Sequence, residues 1–476
     1  MLTFFYIKKK GTSKLKEKRS NRKSSQYYRD EKRRHEKRKI KVEGKFLIKE
    51  IVKVVKNHFS DFYRLLENLN DPRTQSHYSI NEIVFGAVSM FLFKTGSRNN
   101  YDNFRKNGRF ARNFRKVFGL RLPGMDAVAD VIKEMPVIEL EKLKTQMLKN
   151  LLEKKVFHRW RFQNKFLIAI DGTGIATYKE KHCDDCLYTE SKKGIKTYYH
   201  KVLEAKIVTS NKFSISICTV WIDNEDTNNG IYDKQGCETK AFIKLAEKLK
   251  KDFPRLPICL CADGLYPKKP FFETCNNNNW EYIVTLKEGN LKGLWKKIRL
   301  QNREYRCYEY DKDSSSYRQD IQWINKIEHN DFTHNWIQCK ELVTDKTGKQ
   351  EKALFVHLTS FTIDFDNSIE VSASGRLRWK IEKQGFDQQK NHGYNIQHKY
   401  CRKSYTGMKN YYQCCQIAHI INQLVELNKN FKEVNIRKMS IKFMWEMMRG
   451  FLTFSYIKIS EILKINEHKY QFQYPE

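Results

Sequence analysis

Apolar residues in the first third of the chain fall at helical steps. Ile48, Ile51, Val52, Val55 and Phe59 repeat every three or four positions, which lines one face of an α-helix. Ser79-Ile80-Asn81-Glu82 has the form of a helix start, with a hydroxyl at the cap and an acid three residues on. The apolar run over 83–93 predicts a helix buried on all sides. Lys94-Thr95-Gly96-Ser97-Arg98 ends it, Leu122-Pro123-Gly124 marks a turn, and 140–156 predicts another amphipathic helix. Residues 46–160 thus predict a helical N-terminal domain. The polar, basic tract over 1–45 before it has no apolar period and predicts a flexible arm.

After residue 160 the period drops to two. Phe166-Leu167-Ile168-Ala169-Ile170-Asp171 predicts a short buried strand ending on an acid and a glycine. The segments 201–209 and 213–222 predict a hairpin about Ser210-Asn211-Lys212, and 238–253 a helix with Phe242, Leu245, Ala246 and Leu249 on one face. A second apolar strand, Ile258-Cys259-Leu260-Cys261-Ala262, also ends on an acid and a glycine, Asp263-Gly264. Residues 282–286 predict one more strand. Residues 289–367 predict β-hairpins with polar turns, 368–427 is helical again, and 428–476 is mixed helix.

Charge narrows the functional classes. The 476 residues carry 90 Lys+Arg against 55 Asp+Glu, a net +35. Residues 1–46 hold 18 basic and 5 acidic residues, so +13 lies in the arm and +22 in the body. An excess spread over arm and body points to a polyanion partner rather than to an ordinary metabolic enzyme. No apolar run approaches the roughly 20 residues of a membrane span, and the apolar-then-basic N-terminus reverses the order of a signal peptide. The expected location is cytoplasmic, nucleoid-associated, with the 12 cysteines mostly reduced.

The order strand–acid, hairpin, helix, strand–acid is the ribonuclease H-like scheme, in which a mixed sheet carries two metal-binding carboxylates and a later helix the third. Arg378-Trp379-Lys380-Ile381-Glu382 offers that third acid, with Arg378 and Glu382 one turn apart on a helix face. Taken together, Ala169-Ile170-Asp171-Gly172-Thr173, Ala262-Asp263-Gly264, the strand-like run over 282–289 and Arg378–Glu382 resemble bacterial insertion-sequence transposases of the DDE class, the cut-and-paste kind with a β-rich insertion. The resemblance covers about 80–420. It implies an α/β fold: a ribonuclease H-like core over 161–288 and 368–427, interrupted by a β-rich insertion over 289–367. Helical regions would flank that core, the N-terminal one over 46–160 binding DNA and the C-terminal one over 428–476. It also implies Asp171, Asp263 and Glu382 as the catalytic, metal-binding triad, with Arg378 and Lys390 on DNA phosphates. The family motif has Tyr, Arg, Glu and Lys at fixed steps. Here Gly375 stands at the Tyr position, and Lys390 follows Glu382 after seven intervening residues rather than six.

Three carboxylates are hard oxygen ligands suited to Mg²⁺ or Mn²⁺. Two ions about 3.5–4 Å apart would clamp an in-line displacement at phosphorus, first by water and then by the freed 3′-OH. The implied partners are double-stranded DNA, namely the element's terminal inverted repeats and target DNA, and a second copy of the chain in a homodimer. Two rival readings share these residues: a nuclease of the same fold without strand transfer, and a DNA-binding descendant that no longer cuts.

Other signals are local. Cys183 and Cys186 form a CxxC, and His200 follows; with His182 or a distant cysteine as a fourth ligand they would hold zinc. Trp323 and Trp336 in the insertion could stack on an extruded base, whereas Cys259 and Cys261 on a buried strand read as core. Arg98, Arg105, Arg109, Arg112, Arg115 and Lys116 form the densest basic cluster outside the arm. Finally, at about 100° per residue an eight-residue step swings Lys390 roughly 80° from Glu382 and puts Gln389 in its place. Either Gln389 takes the phosphate contact or a π-bulge near Gly385 absorbs the extra residue, and the sequence favours the bulge.

Overall fold

Among the described residues the first helix begins at Gly44. The computed structural model describes residues 44–223, 234–434, 439–458 and 460; apart from Gly44 and Lys45, the expected basic arm lies outside them. Seven helices follow: α1 (Gly44–His58), α2 (Phe62–Glu67), α3 (Ile80–Leu92), α4 (Arg98–Lys106), α5 (Gly108–Phe118), α6 (Met125–Ile132) and α7 (Val137–Glu153). Ser79 and Glu82 close a capping box at the start of α3, as their spacing predicts. All 13 residues of α3 are buried, so it is a central helix rather than a surface one.

What surrounds α3 comes from the far end of the chain. The 22-residue α13 (Tyr405–Glu426) and α15 (Ile441–Phe454) pack on the N-terminal helices within one apolar core. The last carbonyls of α3, which have no partner inside their own helix, are met from there. Leu92 O accepts from Trp445 Nε1 at 2.9 Å and Asn422 Nδ2 at 3.2 Å, and Phe93 O accepts from Arg449 at 2.8 Å. Lys94, which ends the helix at φ 52°, is buried over the Trp445 ring and paired with Glu426 at 2.8 Å.

The protein is α/β, with one ten-stranded mixed sheet. In the order β2-β3-β1-β5-β6-β10-β9-β8-β7, with β4 also on β3, it comprises β1 (Phe166–Tyr178), β2 (Leu187–Glu190), β3 (Lys196–Val208), β4 (Ser214–Ile222), β5 (Ile258–Ala262), β6 (Glu281–Thr285), β7 (Glu304–Lys312), β8 (Ser315–His329), β9 (Phe332–Thr344) and β10 (Gln350–Thr359). β1, β5 and β6 are parallel; the other pairings are antiparallel. Between β4 and β5 runs α8 (Lys234–Asp252), and between β5 and β6 α9 (Lys269–Asn278). Strand parity sorts the core: Phe166, Ile168, Ile170, Ile258 and Leu260 join the large core shared with the N-terminal helices. Leu167, Ala169, Cys259, Cys261 and Ile283 join a smaller core on the opposite face, beneath Val371, Ile381 and Phe386.

Three expectations change. β1 does not end at Asp171 but runs on to Tyr178, because β3 pairs with it past the point where β5 stops. The segment over 289–367 also contains a helix, α10 (Lys292–Leu300), which buries Leu294, Trp295 and Ile298 at helical spacing. Its strands extend the central sheet through β10 on β6. The helical stretch over 368–427 is interrupted: α11 (Ser368–Arg376), a 3₁₀ turn (Leu377–Trp379), a π turn (Ile381–Phe386) and α12 (Asp387–Asn391) precede a loop before α13. A short α14 (Lys429–Val434) precedes α15. Among the described residues no helix is long and apolar enough to cross a membrane.

Burial keeps several histidines neutral. That of His334, whose Nδ1 meets the Tyr282 hydroxyl at 2.7 Å, lowers the imidazole to about 4, and that of His357, beside Arg376 and Arg378, to about 3. With folded values depressed, the unfolded chain takes up these protons first. Stability is therefore full above about pH 6.5 and falls as pH drops, by about 1–2 kcal/mol per imidazole between pH 7 and pH 5. Thermal melts at the two pH values should show this loss, and H334Q should remove one imidazole's share of it.

Candidate active site and metal centre

The parallel register decides where the strand acids lie. β1 and β5 pair through Phe166↔Ile258, Leu167↔Cys259, Ile168↔Leu260 and Ala169↔Cys261. Asp171 and Asp263 each stand two residues beyond Ala169 and Cys261. The period of two puts Asp171 on the smaller-core side, where the helical segment carrying Glu382 packs, while Asp263 lies in the turn just beyond the end of β5.

Asp171 and Glu382 come together there around Arg378. The guanidinium NH1 of Arg378 is 3.7 Å from Asp171 Oδ2 and 3.5 Å from Glu382 Oε1, and Arg378 is only 6% exposed. Burial pushes the Asp171 carboxyl up to about 7; Arg378 opposes this and Glu382 adds to it. One long, shared guanidinium contact does not offset the desolvation of that carboxylate, so the pocket would accept more positive charge. Asp263 is held within its own turn, Oδ1 accepting from Leu265 N at 2.9 Å. Among the described residues, the three acids do not gather into a group whose ligand atoms lie close enough to share a metal ion; the cysteine–histidine group described below does.

The π turn Ile381–Phe386 occupies the predicted place. A Cβ at Gly385, inside it, would come within 2.9 Å of Ser214 Oγ and 3.2 Å of Lys206 Nζ, so the absence of a side chain lets the turn seat against β3 and β4. One π turn takes up one residue. Burial lowers the Lys390 ammonium, while Asp171, Asp387 and Glu382 raise it, so Lys390 feels the acids. Gln389 points inward instead: fully buried, it donates to Gln416 at 2.8 Å and accepts from Lys206 at 3.2 Å. The alternative in which Gln389 makes the phosphate contact is thereby excluded for this conformation.

Gly375, at the motif's Tyr position, has a steric explanation. A Cβ there would lie 2.7–2.9 Å from three atoms of the His357 ring, which fills the space. No local pattern signals that pairing, because the partner lies on β10. Two other neighbours also escaped the sequence reading. Lys201 and Glu238 form a buried ion pair at 2.6 Å against Gly172, beside Asp171. Trp379 is 48% exposed and carries the Arg378 guanidinium 4.4 Å from its ring centre, leaving an aromatic surface next to the acids.

The base-stacking expectation for Trp323 and Trp336 is corrected. They are 1% and 0% exposed and lie buried on opposite faces of the β8–β9 pair, Trp323 with Ile337 in the smaller core and Trp336 with Ile324 in the large one. The basic cluster also divides. Arg109 donates to Phe454 O and the Tyr456 hydroxyl, each at 2.9 Å; Arg105 pairs with Asp102; Arg98 faces Tyr411. Arg112, Arg115 and Lys116 on α5 remain exposed.

At the far end of β1, His182, Cys183, Cys186 and His200 gather, one ligand atom from each lying within 4.8 Å of all the others. Burial lowers the His200 imidazole to about 3 and raises the Cys183 thiol to about 12, with Cys186 adding to the latter. The CxxC and His200 are thus brought together, and His182 rather than a distant cysteine is the fourth member. Comparison with protein-family models and with curated proteins yields no match.

The fit of His357 to Gly375 is testable. G375Y should destabilise the protein by about 2–4 kcal/mol through overpacking. H357A/G375Y should recover part of that loss in thermal denaturation. Additive losses would show that the two positions do not compete for one space.

Proposed function

We propose that this protein is a DNA transposase with a ribonuclease H-like catalytic core, cutting at the ends of a mobile element and joining them to target DNA. The observation that carries the reading is the pairing of Asp171 with Glu382 around Arg378, with Asp263 one residue past the end of the neighbouring parallel strand β5. Asp171, Asp263 and Glu382 would hold Mg²⁺ or Mn²⁺. The buried, charge-deficient carboxylate of Asp171 and an all-oxygen donor set fit such hard ions. When bound, the ions would activate the attacking hydroxyl and stabilise the leaving oxygen in phosphoryl transfer.

The chain's own groups do the positioning. On metal binding Arg378, relieved of its place between the two acids, would turn its planar fork toward a backbone phosphate. Lys390, brought round by the π turn, adds a second cation on that side. The exposed face of Trp379 offers a stacking surface to a base adjoining the cut. Arg112, Arg115 and Lys116, with the basic arm of residues 1–45, supply sequence-independent attraction to phosphates. Terminal-repeat recognition and homodimer formation belong to the same reading.

Cleavage of supercoiled DNA bearing the element ends tests it. D171A, D263A and E382Q should each lower Mg²⁺-dependent cleavage by at least about 10³-fold, the scale of an essential catalytic group, while gel-shift affinity for the same DNA persists. Cleavage surviving any one of these changes removes that acid from the triad. Joining of a pre-cut 3′-OH end separates a transposase from a nuclease of the same fold. Separately, deleting residues 1–45 should weaken binding to every DNA and flatten its salt dependence without changing the preferred end. Gel shifts across a salt series check that outcome.

A further inference from the structure

The cysteine–histidine group at the end of β1 is independent of the catalytic reading. We propose that His182, Cys183, Cys186 and His200 form a closed, structural zinc site that staples the β1–β2–β3 ribbon to its own connecting loop and orients it against α13. Tetrahedral zinc, with Zn–S near 2.3 Å and Zn–N near 2.0–2.1 Å, sets edges of about 3.8 Å between sulfurs and about 3.6 Å between sulfur and nitrogen. Here Cys183 Sγ lies 3.4 Å from Cys186 Sγ and 3.4 Å from His200 Nε2. Cys186 Sγ lies 3.7 Å from His200 Nε2 and 2.9 Å from His182 Nδ1. The four atoms already sit near the corners of a coordination sphere. Two sulfurs and two imidazole nitrogens are a donor set that zinc favours over Mg²⁺ or Ca²⁺. Four protein ligands leave no open position for water, which makes the site structural rather than catalytic.

The surroundings fit a staple. His200 lies on β3 opposite Ala176 and is fully buried, its ring stacked 4.2 Å from Tyr405 at the start of α13. Tyr178, the last residue of β1, covers the His182 ring at 3.8 Å. Beyond the site, β2 and β3 project as a two-stranded ribbon whose tip, Ser191–Lys196, is exposed and carries Lys192, Lys193 and Lys196. A two-stranded ribbon is marginal by itself, so a metal at its base would fix its direction. Binding replaces the two thiol protons: each S–H bond gives way to an S–Zn bond, two protons go to solvent, and no redox step occurs.

The test uses the full-length chain. Protein purified under reducing, chelator-free conditions should hold about one zinc per chain by elemental analysis. The chain stripped of metal and given Co²⁺ should develop the thiolate-to-cobalt charge-transfer and strong visible bands of a four-coordinate S₂N₂ centre. C183S/C186S should abolish both signals. H182N, a change on a half-exposed loop that leaves the core intact, should shift the cobalt spectrum and weaken zinc retention at least tenfold. D171A should keep the zinc, since its carboxylate belongs to the other site. Absence of zinc with only weak, six-coordinate cobalt bands would overturn the proposal. So would zinc that survives C183S/C186S, or a Cys183–Cys186 disulfide in protein isolated without oxidant.

Discussion

The in-register parallel pairing of β1 with β5 is the constraint on which the candidate site depends. A slip of one residue would carry one acid through the sheet to the opposite face, into the core shared with the N-terminal helices. Each strand is apolar on both faces, and each face fills a different core. Phe166, Ile168, Ile258 and Leu260 are committed to one core, and Leu167, Ala169, Cys259 and Cys261 to the other. Packing thus fixes chemistry here: the face that Asp171 occupies follows from where its apolar neighbours must go.

The third acid depends on a different compromise. The helical segment carrying Glu382 must lay Ile381 and Phe386 on the sheet while holding Gln389 in a polar layer with Lys206, Gln416 and His419. These anchors do not share one α-helical face, and a π turn between them reconciles the demands. Lys206, fully buried, is held by Gln389 and Gln416 and lies 4.8 Å over the Phe386 ring. The layer is costly to dehydrate, so its members are tied to one arrangement, and the π turn is tied with them.

How much was legible in the sequence follows from the range of each interaction. The capping box at Ser79, the buried helix after it and both acid-bearing strands are written in local spacing, whereas the π turn is expected only from the extra residue between Glu382 and Lys390 relative to the motif that the sequence resembles. The CxxC was visible too, but only folding shows that His182 and His200 both reach it. What escaped reading depends on partners far along the chain. Strand β1 runs past Asp171 because β3 is there to pair with it. Trp323 and Trp336 are buried because both faces of the β8–β9 pair are covered where they lie. Position 375 has no room for a side chain because His357 comes from β10. Arg109, one of a visibly basic run, spends its charge on Phe454 and Tyr456 at the other end of the chain. Composition announced a basic protein; which cations face outward was a matter of tertiary structure.

The pairing of β10 with β6 has a consequence for how the chain can be taken apart. A β-rich segment inserted between two halves of a core looks like a module that could be trimmed away, with the flanking residues rejoined. Here it is the continuation of a shared sheet: removing it would leave β6, with buried Tyr282, Ile283 and Val284, as a bare edge with unpaired amides and carbonyls. Such an edge recruits strands from other molecules. The insertion is therefore also a solubility element, and a minimal version of this protein would need a substitute strand or a charged edge where β10 now lies.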